Sequence, residues 1–192
     1  MLVAAVTACT QAPMPPAEPQ FHAASVEHHV DGGIARGLLA APATIHGVPC
    51  RGWVRLNAAG GIAACELAAQ TTIQGHTLPA ASQVTFDEDG RLQSAILACD
   101  TVLQGRTCRG GPWRIPTSFH PNGNLRAFVP REPLLVDGAL CESTTQAPVI
   151  LHEDGRLARC RLAAEATIDG RTLRRGDTVE LDAAGRLVLP AH

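Results

Sequence analysis

The apolar and polar positions of this chain alternate in short runs broken by glycine. Val84-Thr85-Phe86 and Val179-Glu180-Leu181 are apolar, polar, apolar, the period of a half-buried β-strand. A polar turn ending in glycine follows each such run, as in Asp87-Glu88-Asp89-Gly90, His120-Pro121-Asn122-Gly123 and His152-Glu153-Asp154-Gly155. Asp-Gly and Asn-Gly are strong hairpin signals, because glycine supplies a positive φ at low cost. A second strand is predicted after the turn, over residues 91–97 or 156–162. A third, shorter one ends in Thr72-Ile73-Gln74-Gly75 or Thr167-Ile168-Asp169-Gly170. No apolar stripe of helical period survives the glycines. The Ala-rich stretch Leu162–Ala166 is the one segment with the makings of a helical turn.

These patterns repeat. The turn glycines Gly32, Gly60, Gly90, Gly123, Gly155 and Gly185 are spaced by 28, 30, 33, 32 and 30 residues. A second glycine follows each of the first five by fifteen residues: Gly47, Gly75, Gly105, Gly138 and Gly170. Apolar columns keep the same phase. Ile34, Ile62, Leu92, Leu125, Leu157 and Leu187 lie two residues after the first glycine, and Leu39, Leu67, Leu97 and Leu162 lie seven after it. Ile45, Ile73, Leu103, Val136 and Ile168 lie two before the second glycine. One unit alone cannot bury its apolar face, whereas adjoining units can. The expected fold is all-β, with about six repeats of ~30 residues whose short antiparallel strands form an extended sheet; a β-solenoid is the alternative.

Turns of the type FHPNGNL and FDEDGRL resemble bacterial MORN-like hairpin repeats, as found in uncharacterised lipoproteins. The resemblance spans residues 31–192 at a few positions per repeat, and this chain lacks the family's Tyr and has a longer period. It implies a scaffold that contacts proteins or lipids rather than a catalyst.

The front of the chain differs in kind. Met1–Cys9 reads MLVAAVTAC, an apolar run ending in small residues before a cysteine, and Val6-Thr7-Ala8-Cys9 resembles a bacterial lipobox. Cys9 is then the expected lipidation site, with residues 1–8 a signal-peptide remnant. The run is too short for a transmembrane helix, which needs about 20 apolar residues. Residues 9–25 carry Pro13, Pro15, Pro16 and Pro19 and read as an extended spacer between a lipid anchor and a β-repeat domain over residues 26–192. The expected location is the cell envelope, on the periplasmic side of the outer membrane or at the cell surface.

Export changes the reading of the cysteines. Setting Cys9 aside leaves Cys50, Cys65, Cys99, Cys108, Cys141 and Cys160, an even number. Cys50 and Cys141 share one column of the repeat, and Cys65 and Cys160 share another. Cys50–Cys65 and Cys141–Cys160 are therefore expected as homologous disulfides. Cys108 has Phe128 where its partner would fall, which leaves Cys99–Cys108 as the third pair. Each short loop is expected to contribute about 2–3 kcal/mol. No Cys-x-x-Cys pair suggests zinc.

Composition narrows the function further. With 16 basic and 18 acidic residues the net charge is −2, which gives no electrostatic reason to expect nucleic acid. Every basic residue is Arg, there is no Tyr, and aromatics are 3% of the chain, so stacking platforms are scarce. A lysine-dependent phosphate loop is excluded. No GxSxG-like motif and no paired carboxylates stand out, so no catalytic residue, metal ligand or cofactor is assigned. Three groups remain as candidates. His29, His120 and His152 share a column with Asn57, Asp87 and Asp182; it opens the turn, where polar side chains cap the backbone, and a metal-binding ladder is the rival reading. Arg91, Arg156 and Arg186 share the column after the glycine and are expected to form a weak basic strip. Trp113, in the longest unit, is the other binding candidate, and core filling is its rival, as it is for Trp53. The expected function is a non-enzymatic envelope lipoprotein whose array serves protein interaction or surface structure, with an unknown envelope protein as partner. The alternative is a periplasmic ligand-binding protein or hydrolase with its site near Trp113–Phe119.

Overall fold

The computed structural model describes residues 19–112 and 114–188. They fall into two compact units. Unit 1 comprises the chain up to Thr101 together with Gly110–Arg114; unit 2 comprises Val102–Arg109 and the chain from Ile115 onward. Gly110 shows how the returning segment is bound into unit 1. Its N–H donates to Asp100 Oδ1 at 2.9 Å, and a Cβ there would lie 2.2 Å from the Cys99 carbonyl oxygen. No other residue fits that approach without moving backbone.

Unit 1 contains strands β1 (Glu27–His28), β2 (Ile34–Leu38), β3 (Ala43–Ile45), β4 (Val48–Leu56), β5 (Ile62–Leu67), β6 (Thr71–Ile73), β7 (His76–Leu78), β8 (Gln83–Phe86) and β9 (Leu92–Ile96). Unit 2 contains β10 (Thr101–Leu103, which starts at the border), β11 (Arg106–Cys108), β12 (Pro116–Phe119), β13 (Leu125–Phe128), β14 (Leu134–Val136), β15 (Ala139–Cys141), β16 (Val149–Leu151), β17 (Leu157–Arg161), β18 (Ala166–Ile168), β19 (Arg171–Leu173) and β20 (Thr178–Glu180). The fold is all-β, as the alternation predicts. In 162–166 a bridge residue, Leu162, and a bend at 163–164 lead into β18 rather than a helical turn, and the helical piece among the described residues is the 3-10 turn Ala23–Ser25.

Two kinds of hairpin alternate along the chain. The first kind builds the sheet, in the order β1-β2-β4-β5-β8-β9 in unit 1 and β12-β13-β16-β17-β20 in unit 2. Neighbours are antiparallel, as in Val84↔Ala95 and Ile150↔Arg159, so the sheet strands of each unit run as an open meander and not as the coil of a solenoid. The second kind is a separate two-stranded ribbon inserted between sheet strands: β6-β7, β10-β11, β14-β15 and β18-β19, with β3 pairing on the long β4 in the same role.

The two turn types follow from the two glycine columns. In the ribbons both central residues are left-handed, with φ of 46° and 80° at His46-Gly47, 49° and 82° at Gln74-Gly75, and 47° and 82° at Asp137-Gly138. That is the two-residue turn whose twist suits a tight hairpin. In the sheet hairpins only the fourth of five residues is left-handed, and it is always the first glycine of the repeat. The repeated apolar columns form the core. Leu67, Leu97, Leu125, Leu151, Leu157 and Leu162 are each at most 1% exposed, and Ile73, Leu103 and Val136 turn inward from the ribbons. Each fully buried leucine contributes about 1.5–3 kcal/mol.

Candidate functional site

The column that opens the sheet turns is where the polar chemistry concentrates. His29 Nε2 bonds to Leu56 O at 3.1 Å, His120 Nε2 to Leu151 O at 2.9 Å, and His152 Nε2 to Leu181 O at 3.0 Å. A carbonyl can only accept, so each ring carries its proton on Nε2 and donates. Every acceptor lies in the last residue before the next sheet turn. The histidines therefore tie one repeat to its successor. Asn57, Asp87 and Asp182, in the same column, cap their own turns instead: Oδ1 accepts from Gly61, Arg91 and Arg186 N–H at 2.8, 2.8 and 2.9 Å. Among the described residues no group of three His, Cys, Asp or Glu side chains is arranged to hold a metal ion.

The arginine column is engaged locally. Arg91 pairs with Asp89 and Arg186 with Asp182, both at 2.9 Å, while Arg156 Nη1 donates to Ala183 O at 3.1 Å. Such exposed pairs contribute little, about 0–1 kcal/mol. Asp182 sits below its ordinary value of 3.8, first because of the Arg186 backbone N–H it accepts and then because of the Arg186 guanidinium.

The ribbon tips are fastened to the sheet turns by a further column, which local strand and turn patterns do not single out. Gln74 Oε1, Gln104 Oε1 and Asp137 Oδ2 accept from the N–H groups of Leu92, Leu125 and Leu157 at 3.2, 3.0 and 2.7 Å. Its signal was the amide or carboxylate directly before the second glycine.

All six described cysteines are thiols, so the three expected disulfides are absent. Two of the three expected pairs are nonetheless side by side. Cys50 is paired in register with Leu67, and Cys65 lies two residues before Leu67. Cys141 bridges Leu162, and Cys160 lies two before Leu162, the same diagonal. Hydrogen bonding to Cys50 and burial push the Cys65 thiol far up, and Cys160 and burial do the same to Cys141. Cys160 is lowered, because the Cys141 S–H supports its thiolate. Cys108 bridges Pro130, so its diagonal place falls on Phe128; burial pushes it up to about 12 against the opposing charge of Arg106. Cys9 and Trp113 lie outside the described residues.

No protein-family model, curated protein or solved structure matches this chain.

Two further features belong to unit 1. Trp53 is 45% exposed, with the Arg36 guanidinium stacked 4.2 Å above its ring, so it is a surface aromatic rather than core filling. A cavity of about 270 Å³ is lined by Gln83, Ile96, Leu97, Pro112 and Arg114, among others, and Arg114 Nη2 donates to Gln83 Oε1 across 2.9 Å. Its lining offers a guanidinium and an amide rather than an acid, base or nucleophile. Among the described residues no helix is long and apolar enough to cross a membrane.

Proposed function

We propose that this chain is a non-enzymatic cell-envelope lipoprotein whose repeat array is a scaffold for another envelope protein. Cys9 carries the lipid, and the Pro-rich segment behind it holds the repeats away from the membrane surface. The observation that carries the reading is the outward side of the ribbons. Thr44, Thr72, Val102, Leu135 and Thr167 occupy one position, the middle of the first ribbon strand. In unit 2 this places Val102 and Leu135 outward, 54% and 66% exposed. Apolar side chains kept exposed at a repeating position are unfavourable in isolation and typical of a docking surface. MORN-like repeats, which these turns resemble, also act by contact. Disulfides among the cysteines are part of the reading, since export delivers the chain to an oxidising compartment.

The test is capture from detergent-solubilised envelope fractions with the full chain as bait, combined with radiolabelled palmitate. Expected are label at Cys9, lost in Cys9→Ala, and a saturable partner retained by the wild type and lost in Val102→Asp/Leu135→Asp. No label, or capture indifferent to the double substitution, would overturn the reading. The cavity beside Arg114 supports a second reading, a small-ligand site in unit 1. At about 270 Å³ it is at the lower edge of ligand pockets, which run roughly 300–1,000 Å³. Ligand-induced thermal stabilisation that Arg114→Ala abolishes would place that reading first.

A further inference from the structure

Strand β4 of unit 1 presents two arginines to β5, and the fold treats them differently. Arg51 lies opposite Glu66, and its Nε donates to Glu66 Oε1 at 2.6 Å. Arg55 lies opposite Ala64, which has no charge to offer. On its other side Arg55 stands in register with Arg36 of β2. Like charges directly opposite each other on antiparallel strands are unfavourable. Arg36 has a distant acid, Glu27 of β1, at 3.8 Å. Among the described residues the Arg55 guanidinium has no ion pair or hydrogen-bond partner.

Trp53 completes the group. It is in register with Leu38, two residues from Arg55, and the intervening Val54 is 0% exposed, so Trp53 and Arg55 share the outward face. Left-handed Gly52, with φ of 66°, and the shifted register between Arg51 and Arg55 mark a bulge in β4 at this point. Bulges re-aim side chains. The Arg36 guanidinium lies on the indole, 4.2 Å from its centroid. Stacking engages the flat side of a guanidinium, so its in-plane N–H donors stay available.

We propose that Arg36, Arg55 and Trp53 form a docking surface for an acidic segment of a partner protein. A carboxylate is held by both guanidiniums, and an apolar side chain beside it rests against the indole. The amount of charge decides the class of partner. One surplus guanidinium, in a chain of net charge −2, is too little for nucleic acid or an anionic bilayer, whose binding draws on roughly four to ten basic groups. Small-molecule sites are concave, whereas these side chains stand on one face of an open meander. A single carboxylate needs no more than two arginines, and its geometry matches their donor forks. It also relieves the repulsion that the free chain carries between Arg36 and Arg55. Such a local conflict is expected where a position serves binding rather than the fold. This surface goes beyond the apolar ribbon contact, since it is charged, lies in unit 1 and uses other residues.

The test uses the full chain, immobilised, and a display library of short random peptides. Expected are peptides enriched in Asp or Glu beside Leu, Phe or Trp. A synthetic copy of the most enriched peptide should bind about 5-fold more weakly to Arg55→Ala and not detectably to Arg55→Glu, and added salt should weaken its binding to the wild type. Trp53→Ser should weaken it too, through the lost apolar contact and the lost support of Arg36. Arg55→Glu should leave the melting temperature of the free chain unchanged or raise it, because it replaces a repulsion with an ion pair to Arg36. A purely structural Arg55 predicts the reverse, unchanged binding and a lower melting temperature. Absence of acidic enrichment, binding indifferent to Arg55→Ala, or a lower melting temperature for Arg55→Glu would overturn the proposal. Retention on vesicles of three parts phosphatidylcholine to one part phosphatidylglycerol, abolished by Arg55→Ala, would overturn it as well, since the partner would then be a lipid surface. Val102→Asp/Leu135→Asp should leave the peptide bound, so this surface and the ribbon contact stand or fall separately.

Discussion

Three of the six sheet turns open with histidine and three with Asn or Asp, and the two sets solve the same backbone problem differently. All six share one frame: the first residue's N–H donates to the fifth residue's carbonyl, and the fourth, glycine, donates back to the first carbonyl. What differs is the fifth residue's own N–H. In the Asn57, Asp87 and Asp182 turns the opening side chain accepts it. In the histidine turns the opening side chain reaches forward to the next repeat, so the third residue does the capping: Asp31 accepts from Gly33, Asn122 from Asn124 and Asp154 from Arg156, at 3.0, 2.9 and 3.0 Å. Where the opener is Asn57 or Asp182, the third residue is Ala59 or Ala184. Histidine in the first place thus goes with Asx in the third. A histidine turn couples repeats, and an Asx turn closes on itself.

The largest effect is expected from forcing one class onto the other where its function is already filled. His152→Asp duplicates the cap that Asp154 provides and withdraws the donor from Leu181 O, in a residue 5% exposed. A carboxylate then faces an unsatisfied buried carbonyl. The expected loss is about 3 kcal/mol, the upper part of the range for an unpaired buried group. His152→Ala should lose about 1–2 kcal/mol, since it removes the donor without adding charge. Urea unfolding of both variants measures the order. A change within about 0.5 kcal/mol for His152→Asp, the range of an ordinary surface substitution, would mean that the forward bond contributes nothing.

The repeat frame itself was legible because each strand–turn junction needs a left-handed residue, and glycine marks such places in sequence. The apolar columns were legible because inward-facing positions recur at fixed distances from those glycines. The shared cysteine columns gave two of the thiol pairs for the same reason. Cys99–Cys108 follows in sequence from elimination and from nearness across the Leu103-Gln104-Gly105 turn, not from matching places in the repeat. In sequence the histidine column suggests turn chemistry or a ladder; it is turn chemistry that also connects repeats, a reach of 27 to 31 residues that no local pattern encodes. The pairing of first and third turn residues was present in the sequence, and physical sense came to it only with the hydrogen bonds. The division into two units had no such marker, because it depends on where the segment around Gly110 returns.

A smaller effect sharpens the same comparison inside unit 1. Asn57→His removes the cap from Gly61 N–H, and Ala59 cannot replace it, so the loss should be about 1 kcal/mol. Ala59→Asp alone should be near neutral, because the N–H is already capped. The double variant rebuilds a histidine turn and should return to within about 0.5 kcal/mol of wild type, giving a favourable coupling in a double-mutant cycle. Additive losses would mean that the two positions are independent. Asp87→His provides the internal control: Asp89 already stands at the third position, so this substitution should cost less than Asn57→His.

The smallest effect separates two members of the Asx class from each other. Asn57 caps with a neutral amide, and Asp182 caps with a carboxylate held below its ordinary value of 3.8 by the Arg186 backbone and guanidinium. A carboxyl group with a lower pKa folded than unfolded stabilises the fold above the unfolded value, and that contribution is lost as pH falls through the folded value. The Asp182 turn should therefore loosen in acid below about pH 4, near the unperturbed carboxyl range, while the Asn57 turn holds. Because the Asp182–Arg186 pair is open to solvent, salt should weaken the guanidinium part of the effect and leave the backbone cap. Amide exchange at Arg186 and Gly61, followed against pH at low and high salt, measures both turns in one sample. Equal acid response at the two amides would show that the charge on Asp182 does not matter to its cap.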